Sequence, residues 1–417
     1  MNRVVSKLLL AAAFAAFSGS AGAQEIHWHT DYKAMIEEAR QTGKPIFLSF
    51  RCAPCTNARV FDARVTQTQA DSPRGQLLQQ YVCARIISNT GMNIALFDRD
   101  WHNSVFYFIL NADEQIYMRY GGRDETSAEA YLNYDSLELA LKLGLEQHAK
   151  AKAGKLPAEP KPTPVYPSDF PLLKEEVMDA GRCVECHLMG DYKLLEKERA
   201  GTLDKLTDMF AFPDIKRIGI ELDVPKGLLV KTAAGPAADA GMQAGDLITA
   251  INGKPVLTFG DLQYNYNKVN RREARAIALE VQRGAMRRDL TVTLPKEWWY
   301  TDLYHRYWTI EPQPFFSSKP LTPERRKELG LPEDGLAAEV VKIDAAAQVY
   351  NLHHLVIGDI ITAINGVDRD EFTQNLDVYI KLNIESGTKF KATVLRNGEK
   401  TEMSVETYRE HFRKIEQ

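Results

Sequence analysis

Four of the five cysteines fall as two Cys-x-x-Cys pairs, Cys52 with Cys55 and Cys183 with Cys186. In the first, Arg51-Cys52-Ala53-Pro54-Cys55 follows the apolar run Ile46-Phe47-Leu48-Ser49-Phe50 and opens a helical stretch. A thiolate at a helix N-terminus is stabilised by free backbone N–H groups and the helix dipole, which lowers its pKa and raises its reactivity. Pro54 suits the first helical turn, where its missing N–H costs nothing. The chemistry expected is thiol–disulfide exchange, with Cys52 attacking and Cys55 resolving. Half a metal site and a structural bridge are the competing readings. Against the first, no second Cys or His pair lies nearby at ligand spacing. Against the second, so short a loop constrains the unfolded chain little.

The second pair reads Cys183-Val184-Glu185-Cys186-His187. C-x-x-C-H in an exported chain is the attachment signature of c-type haem: two thioethers hold the porphyrin and the adjacent His supplies the proximal iron ligand. A second redox or structural disulfide and a metal site stand beside that reading. Met189 follows His187 too closely to serve as the distal ligand, and Met209 lies further along the chain. Cys83, inside the strand-like Tyr81 to Ile87, reads as a small buried hydrophobe.

The surrounding sequence sets the compartment. Met1 to Ala23 has a charged start (Arg3, Lys7), an apolar stretch from Leu8 to Phe17 and the small-x-small end Ala21-Gly22-Ala23. That is the pattern of a secretory signal peptide cleaved after Ala23, and export permits disulfides. Losing Arg3 and Lys7 with no acid takes the net charge from −4 to −6. A mildly acidic chain without a basic run argues against nucleic acid or an anionic membrane as partner. No later stretch is apolar for long enough to cross a bilayer, so no stable membrane insertion is expected after cleavage.

From Gln24 to Lys150 helix and strand patterns alternate. A helix over Asp31 to Thr42 ends at Gly43-Lys44-Pro45; strands follow at Tyr81 to Ile87 and in a hairpin, Ser104 to Leu110 and Gln115 to Tyr120; a helix from Ser136 to Lys150 closes the unit. With Trp28, Cys52 to Cys55, Phe61-Asp62 and Val65, this segment resembles the thioredoxin-like group related to the C-terminal domain of transmembrane disulfide reductases. The resemblance implies an oxidoreductase whose redox pair is Cys52 and Cys55, with a protein disulfide or a membrane reductase as partner. The family's cis-proline, expected just before Ser104, is missing, since Pro73 is the only proline between Ser72 and Lys155. In typical members that proline positions substrate and hinders metal binding, so its loss brings in Cu(I) capture at the thiols as an alternative. Arg51 reads as a solvated arginine. His27 and His29 read as surface histidines.

Pro157, Pro160, Pro162, Pro164 and Pro167 form an extended tether, on which the first domain is expected to move relative to the rest. Beyond it, Gly245-Asp246-Leu247-Ile248-Thr249-Ala250-Ile251-Asn252-Gly253 recurs 113 residues later as Gly358-Asp359-Ile360-Ile361-Thr362-Ala363-Ile364-Asn365-Gly366, and Arg283 recurs at Arg396. Two copies of one domain follow. Gly235-Pro236-Ala237-Ala238 through Gly241-Met242 and Gly245-Asp246 resembles the PDZ domain of HtrA-type proteases. That resemblance implies capture of a chain terminus on a sheet edge, at Ile218, Gly219 and Ile220 after Arg217. In the second copy Trp308-Thr309-Ile310 stands at the matching place without the glycine, so that copy is expected to be structural. The aromatic residues Trp298, Trp299, Tyr300, Tyr304, Tyr307 and Trp308 are expected to pack between the copies. No Gly-x-Ser-Gly nucleophile motif occurs, so a protease is not expected.

The fold class expected is multidomain: an α/β/α thioredoxin-like domain, a short helical CxxCH segment and β-rich tandem PDZ domains. The boundaries are 1–23 signal peptide, 24–150 first domain, 151–168 linker, 169–212 CxxCH segment, 213–296 and 297–410 the PDZ copies, and 411–417 a tail. Together the parts resemble a bacterial group of exported Trx/PDZ proteins. The expected function is periplasmic thiol–disulfide exchange with PDZ-mediated recruitment of a protein. The alternative is a non-enzymatic PDZ scaffold delivering electrons or metal, with haem at Cys183, Cys186 and His187 or copper at Cys52 and Cys55.

Overall fold

The structure, a computed structural model, describes residues 25–51, 55–301 and 310–409. The leader, Cys52, Tyr304, Tyr307, Trp308 and the tail 411–417 lie outside the described residues.

The first unit runs β1 (Trp28–His29), α1 (Tyr32–Thr42), β2 (Ile46–Arg51), α2 (Thr56–Thr66), α3 (Pro73–Leu78), β3 (Val82–Ile86), β4 (Val105–Leu110), β5 (Ile116–Tyr120) and α4 (Tyr134–Lys152). Its sheet is ordered β1-β3-β2-β4-β5. Strands β1, β3 and β2 are parallel, while β4 and β5 run antiparallel. β4 is buried along its whole length, as a central strand with both faces covered must be. One face packs Met35, Ile36 and Ala39 of α1, the other Ala58 and Val65 of α2 with Leu137 and Leu141 of α4. Local signals set the α1 boundaries: Asp31 accepts from Ala34 N at its start, and Gly43 turns left-handed at its end (φ 64°).

The proline-rich tether is not the free hinge its composition suggests. Gln115 Nε2 donates to Pro157 O (3.2 Å), Lys161 Nζ pairs with Glu114 (2.8 Å) and Ile94 N donates to Val165 O (2.8 Å). Proline excludes helix and ladder pairing, but it leaves carbonyls and intervening side chains free to bond to the first unit. Beyond the tether, α5 (Pro171–Leu173) runs into a π-turn over Lys174–Met178. After the cysteine turn come α6 (Cys186–Arg199) and α7 (Lys205–Asp208).

The first repeat holds β6 (Ile220–Leu222), β7 (Val230–Ala233), α8 (Gly235–Asp239), β8 (Leu247–Ile251), β9 (Lys254–Pro255), α9 (Phe259–Asn267), β10 (Ala276–Arg283) and β11 (Met286–Thr293). The second holds β12 (Phe316–Pro320), α10 (Pro323–Glu328), β13 (Ala338–Ile343), α11 (Ala345–Val349), β14 (Ile360–Ile364), α12 (Leu376–Asn383), β15 (Lys389–Arg396) and β16 (Glu399–Glu406). The repeat extends to individual bonds. Arg283 forks onto Asp246 (2.7 and 2.8 Å) and caps Gly241 O; Arg396 forks onto Asp359 (2.6 Å twice) and caps His354 O. Asn252 and Asn365 turn left-handed and accept from Ala278 N and Lys391 N.

One alignment changes. The partner of Gly219 is Phe315, not a residue of Trp308-Thr309-Ile310. Gly219 O accepts from Ala234 N (2.8 Å) and Phe315 O from Asp344 N (2.9 Å), and both residues have positive φ. A tight turn is kept while its sequence marker is lost. Trp298 and Trp299 are buried on Tyr266 and Phe210, in a core that also takes in Val378 of α12 from the second copy, in line with the expected packing between the copies.

Candidate functional site

Cys55 is the N-cap of α2 and is half buried. Its Sγ lies 3.5 Å from Nε2 of His187, which comes from the first turn of α6, 132 residues away in sequence. The two cysteine motifs therefore meet through that histidine. His187 Nδ1 lies 3.4 Å from Trp101 O, and its ring stacks on His102 with centroids 6.0 Å apart. Gly190 permits this docking: a Cβ there would stand 3.0 Å from Trp101 Cβ and 3.2 Å from His102 Nε2. Burial alone would lower the His187 pKa, but the Cys55 contact, the charge on Cys55 and that on Cys186 outweigh it and raise the value to about 9. An imidazolium beside a thiolate is the arrangement that keeps sulfur nucleophilic at neutral pH. Asp191, one turn further along α6, is buried, and desolvation raises its pKa well above the carboxylate range.

Arg99 holds the other side. It is 2% exposed, sandwiched between the rings of Phe50 (4.1 Å) and Trp101 (4.3 Å). Its Nη1 donates to Phe97 O (3.0 Å), and Nη2 donates to Asn89 Oδ1 (3.0 Å) and to Cys186 Sγ (3.4 Å). Asn89 clamps the cysteine turn through its backbone N–H to Val184 O (2.8 Å) and its Nδ2 to Val184 O and Cys186 Sγ. Cys186 is 4% exposed, whereas Cys183 stands at the surface.

As packed, Cys183, Cys186 and His187 do not fit haem attachment. The Cys186 sulfur is enclosed by Arg99 and Asn89, and both ring nitrogens of His187 are engaged. A cleft of about 590 Å³ beside α6, walled by Ile94, Val165 and Phe170, is lined by none of the three. Among the described residues no three His, Cys, Asp or Glu side chains gather to hold a metal ion. Arg51 is anchored rather than solvated, its Nε 3.4 Å from the buried Asp62. Cys83 is buried in β3, donates to Leu78 O, and burial pushes its pKa up. His29 pairs with Glu38 at 2.5 Å.

The positions expected to bind peptide, Ile218, Gly219 and Ile220, lie on the first repeat. Gly219 (φ 86°) closes the turn between Ile215–Ile218 and β6, and a Cβ would run into Ala234 O. Ile218 and Ile220 are 0% and 1% exposed. They share a core with Tyr131, which comes from the first unit and stacks on Phe259 of α9 at 3.3 Å. Tyr131 Oη donates to Asp214 Oδ1 (2.7 Å), Lys216 pairs with Asp124 (2.7 Å) and Arg217 with Glu125. Gln263 of α9 donates to Arg123 O. Thus the segment 119–131 straps the face between β6 and α9.

Residues 232–267 match the PDZ domain family. The PDZ domain is a module of protein–protein interaction. A curated relative, a probable periplasmic serine endoprotease DegP-like protein of Pseudomonas savastanoi pv. phaseolicola, is 40% identical over 75 residues, 18% of this chain and 15% of that protein. The chain thus spans less than a sixth of that relative's length. Among solved structures, the HtrA-type protease AlgW with a tripeptide aligns at 26% identity over 24% of this chain and 32% of that one, TM-score 0.20. AlgW with a decapeptide aligns at 18% identity over 32% and 45%, TM-score 0.21. No described helix is long and apolar enough to cross a membrane.

The sequence pattern marks Cys55, Cys183, Cys186 and His187 separately and gives no sign of Arg99, Asn89, His102, Asp191 or Tyr131 as partners. Arg99 stands between Asp98 and Asp100, a charged stretch that reads as solvated surface.

Proposed function

We propose that the chain is an exported thiol–disulfide oxidoreductase with a thioredoxin-like first domain, whose PDZ domain recruits a protein partner. The carrying observation is the Cys55 Sγ to His187 Nε2 contact of 3.5 Å, which gives the first pair a proton acceptor that the CxxC motif alone lacks. The strand order β1-β3-β2-β4-β5 and the position of Cys55 at the start of α2 support the thioredoxin-like assignment. The bonds repeated between Arg283 and Arg396 support reading the second copy as PDZ-like.

In the reaction Cys52 thiolate attacks a substrate disulfide, forming a mixed disulfide and releasing one substrate thiolate. Cys55, its proton held by His187, then attacks Cys52 Sγ; the second substrate thiolate leaves and the pair closes as a disulfide. Two electrons pass to the substrate. The test is insulin reduction driven by dithiothreitol: Cys52→Ser is expected to abolish it, and full activity in that variant would sink the proposal.

A further inference from the structure

We propose that the second pair, Cys183 and Cys186, is a redox couple that exchanges directly with Cys52 and Cys55 inside one molecule, with Cys186 leaving as a thiolate into the Arg99 fork. This rests on the exchange reading above and adds an internal partner to it.

Three observations carry it. First, the motifs are adjacent in space: His187, the residue after Cys186, contacts Cys55 Sγ. Second, a guanidinium cannot shed its proton, so a buried one needs an anion. Arg99 is almost fully enclosed, and its hydrogen bonds among the described residues go to a carbonyl, an amide and the Cys186 sulfur, none of them a carboxylate. Of these three partners the Cys186 sulfur is the one that can become an anion, while Asp98 acts on Arg99 through its charge without a hydrogen bond. Third, the two sulfurs differ in access, since Cys183 is exposed and Cys186 buried. Attack on Cys183 with departure of Cys186 satisfies both conditions for fast exchange, an open target and a stabilised leaving group.

The steps balance. With Cys183 and Cys186 oxidised, Cys55 thiolate attacks Cys183 Sγ; the Cys55–Cys183 bond forms, the Cys183–Cys186 bond breaks, and Cys186 leaves as thiolate against Arg99. Cys52 then loses its proton and attacks Cys55 Sγ; the Cys52–Cys55 bond forms, and Cys183 leaves and takes up that proton. Two electrons move from the first pair to the second, and the reverse sequence returns them. No outside oxidant or reductant enters the transfer.

The test uses the full chain carrying Cys52→Ser and Cys186→Ser, which leaves Cys55 and Cys183 to meet. Treated with glutathione disulfide, it is expected to yield a tryptic peptide pair linked through Cys55 and Cys183, lost on reduction. Recovery of the two residues only as glutathione adducts or free thiols overturns the relay. Should that variant misfold, the wild-type chain decides: fully reduced protein receives half an equivalent of glutathione disulfide per pair, and both pairs are followed by timed alkylation and mass. Redistribution between pairs at a rate independent of protein concentration is expected. Retention in one pair, or a rate proportional to concentration, overturns the proposal. Insulin reduction measured on the same protein separates the two ideas: activity without redistribution removes the relay alone, and redistribution without activity removes only the substrate-directed reading.

Discussion

His187 holds its proton at neutral pH because two sulfurs outweigh its burial, and in the proposed reaction that proton keeps Cys55 available as thiolate. His187→Gln therefore raises the Cys55 pKa. Losing one charge-assisted partner makes the thiolate about tenfold scarcer at pH 7, so alkylation of Cys55 by iodoacetamide should slow by about tenfold. The pH profile of labelling is the readout, and an unchanged profile would remove His187 from the mechanism. The histidine is visible in sequence only as the last letter of a haem-like motif, and its neighbours Arg99 and Asn89 carry no motif at all. Their roles depend on a loop after β3 closing over a turn nearly a hundred residues away.

Between β6 and α9 the PDZ domain already has an occupant, the segment 119–131 with Tyr131 at its centre. A terminal peptide bound at Ile218, Gly219 and Ile220, as the HtrA-type resemblance implies, would have to displace that strap. Tyr131→Ala should cost about 3 kcal/mol of stability by the usual scale for buried aromatics, seen in urea unfolding. It should also raise affinity for a peptide ending in an apolar residue with a free carboxylate, read by fluorescence anisotropy against an amidated control. Equal, undetectable binding in both forms would mean the strap is structural. The second copy differs: beside Phe315 and Phe316 it has a cleft of about 320 Å³ bordered by Lys342 and Lys381. The helix and strand boundaries of both copies follow local signals, but the sequence could not show which face was covered, because the cover comes from a different domain.

Across the whole chain, the first unit and the PDZ domain are joined through a buried carboxyl. Asp261 of α9 accepts from Arg119 N (2.9 Å), and burial raises its pKa from 3.8 to about 6 despite the nearby Arg119 charge. A raised pKa means the folded state favours the protonated form. Its stabilising contribution is thus complete below about 3.8 and is lost as pH rises through 6. Asp261→Asn should flatten the fall in unfolding free energy across that window, measured by urea titration at several pH values. A slope equal to that of the unmodified chain would rule out Asp261 as its source.

The amino-acid sequence by itself determined the periodic elements of the first unit, the duplication after it, the PDZ match and the two thiol pairs, because periodicity, caps and spacing act over a few residues. The tertiary structure decided that Cys55 meets His187, that Cys186 faces a buried guanidinium, that the proline tether is tied down and that Tyr131 covers the face between β6 and α9. Those outcomes depend on which apolar surfaces bury one another at long range, and no local pattern encodes that choice.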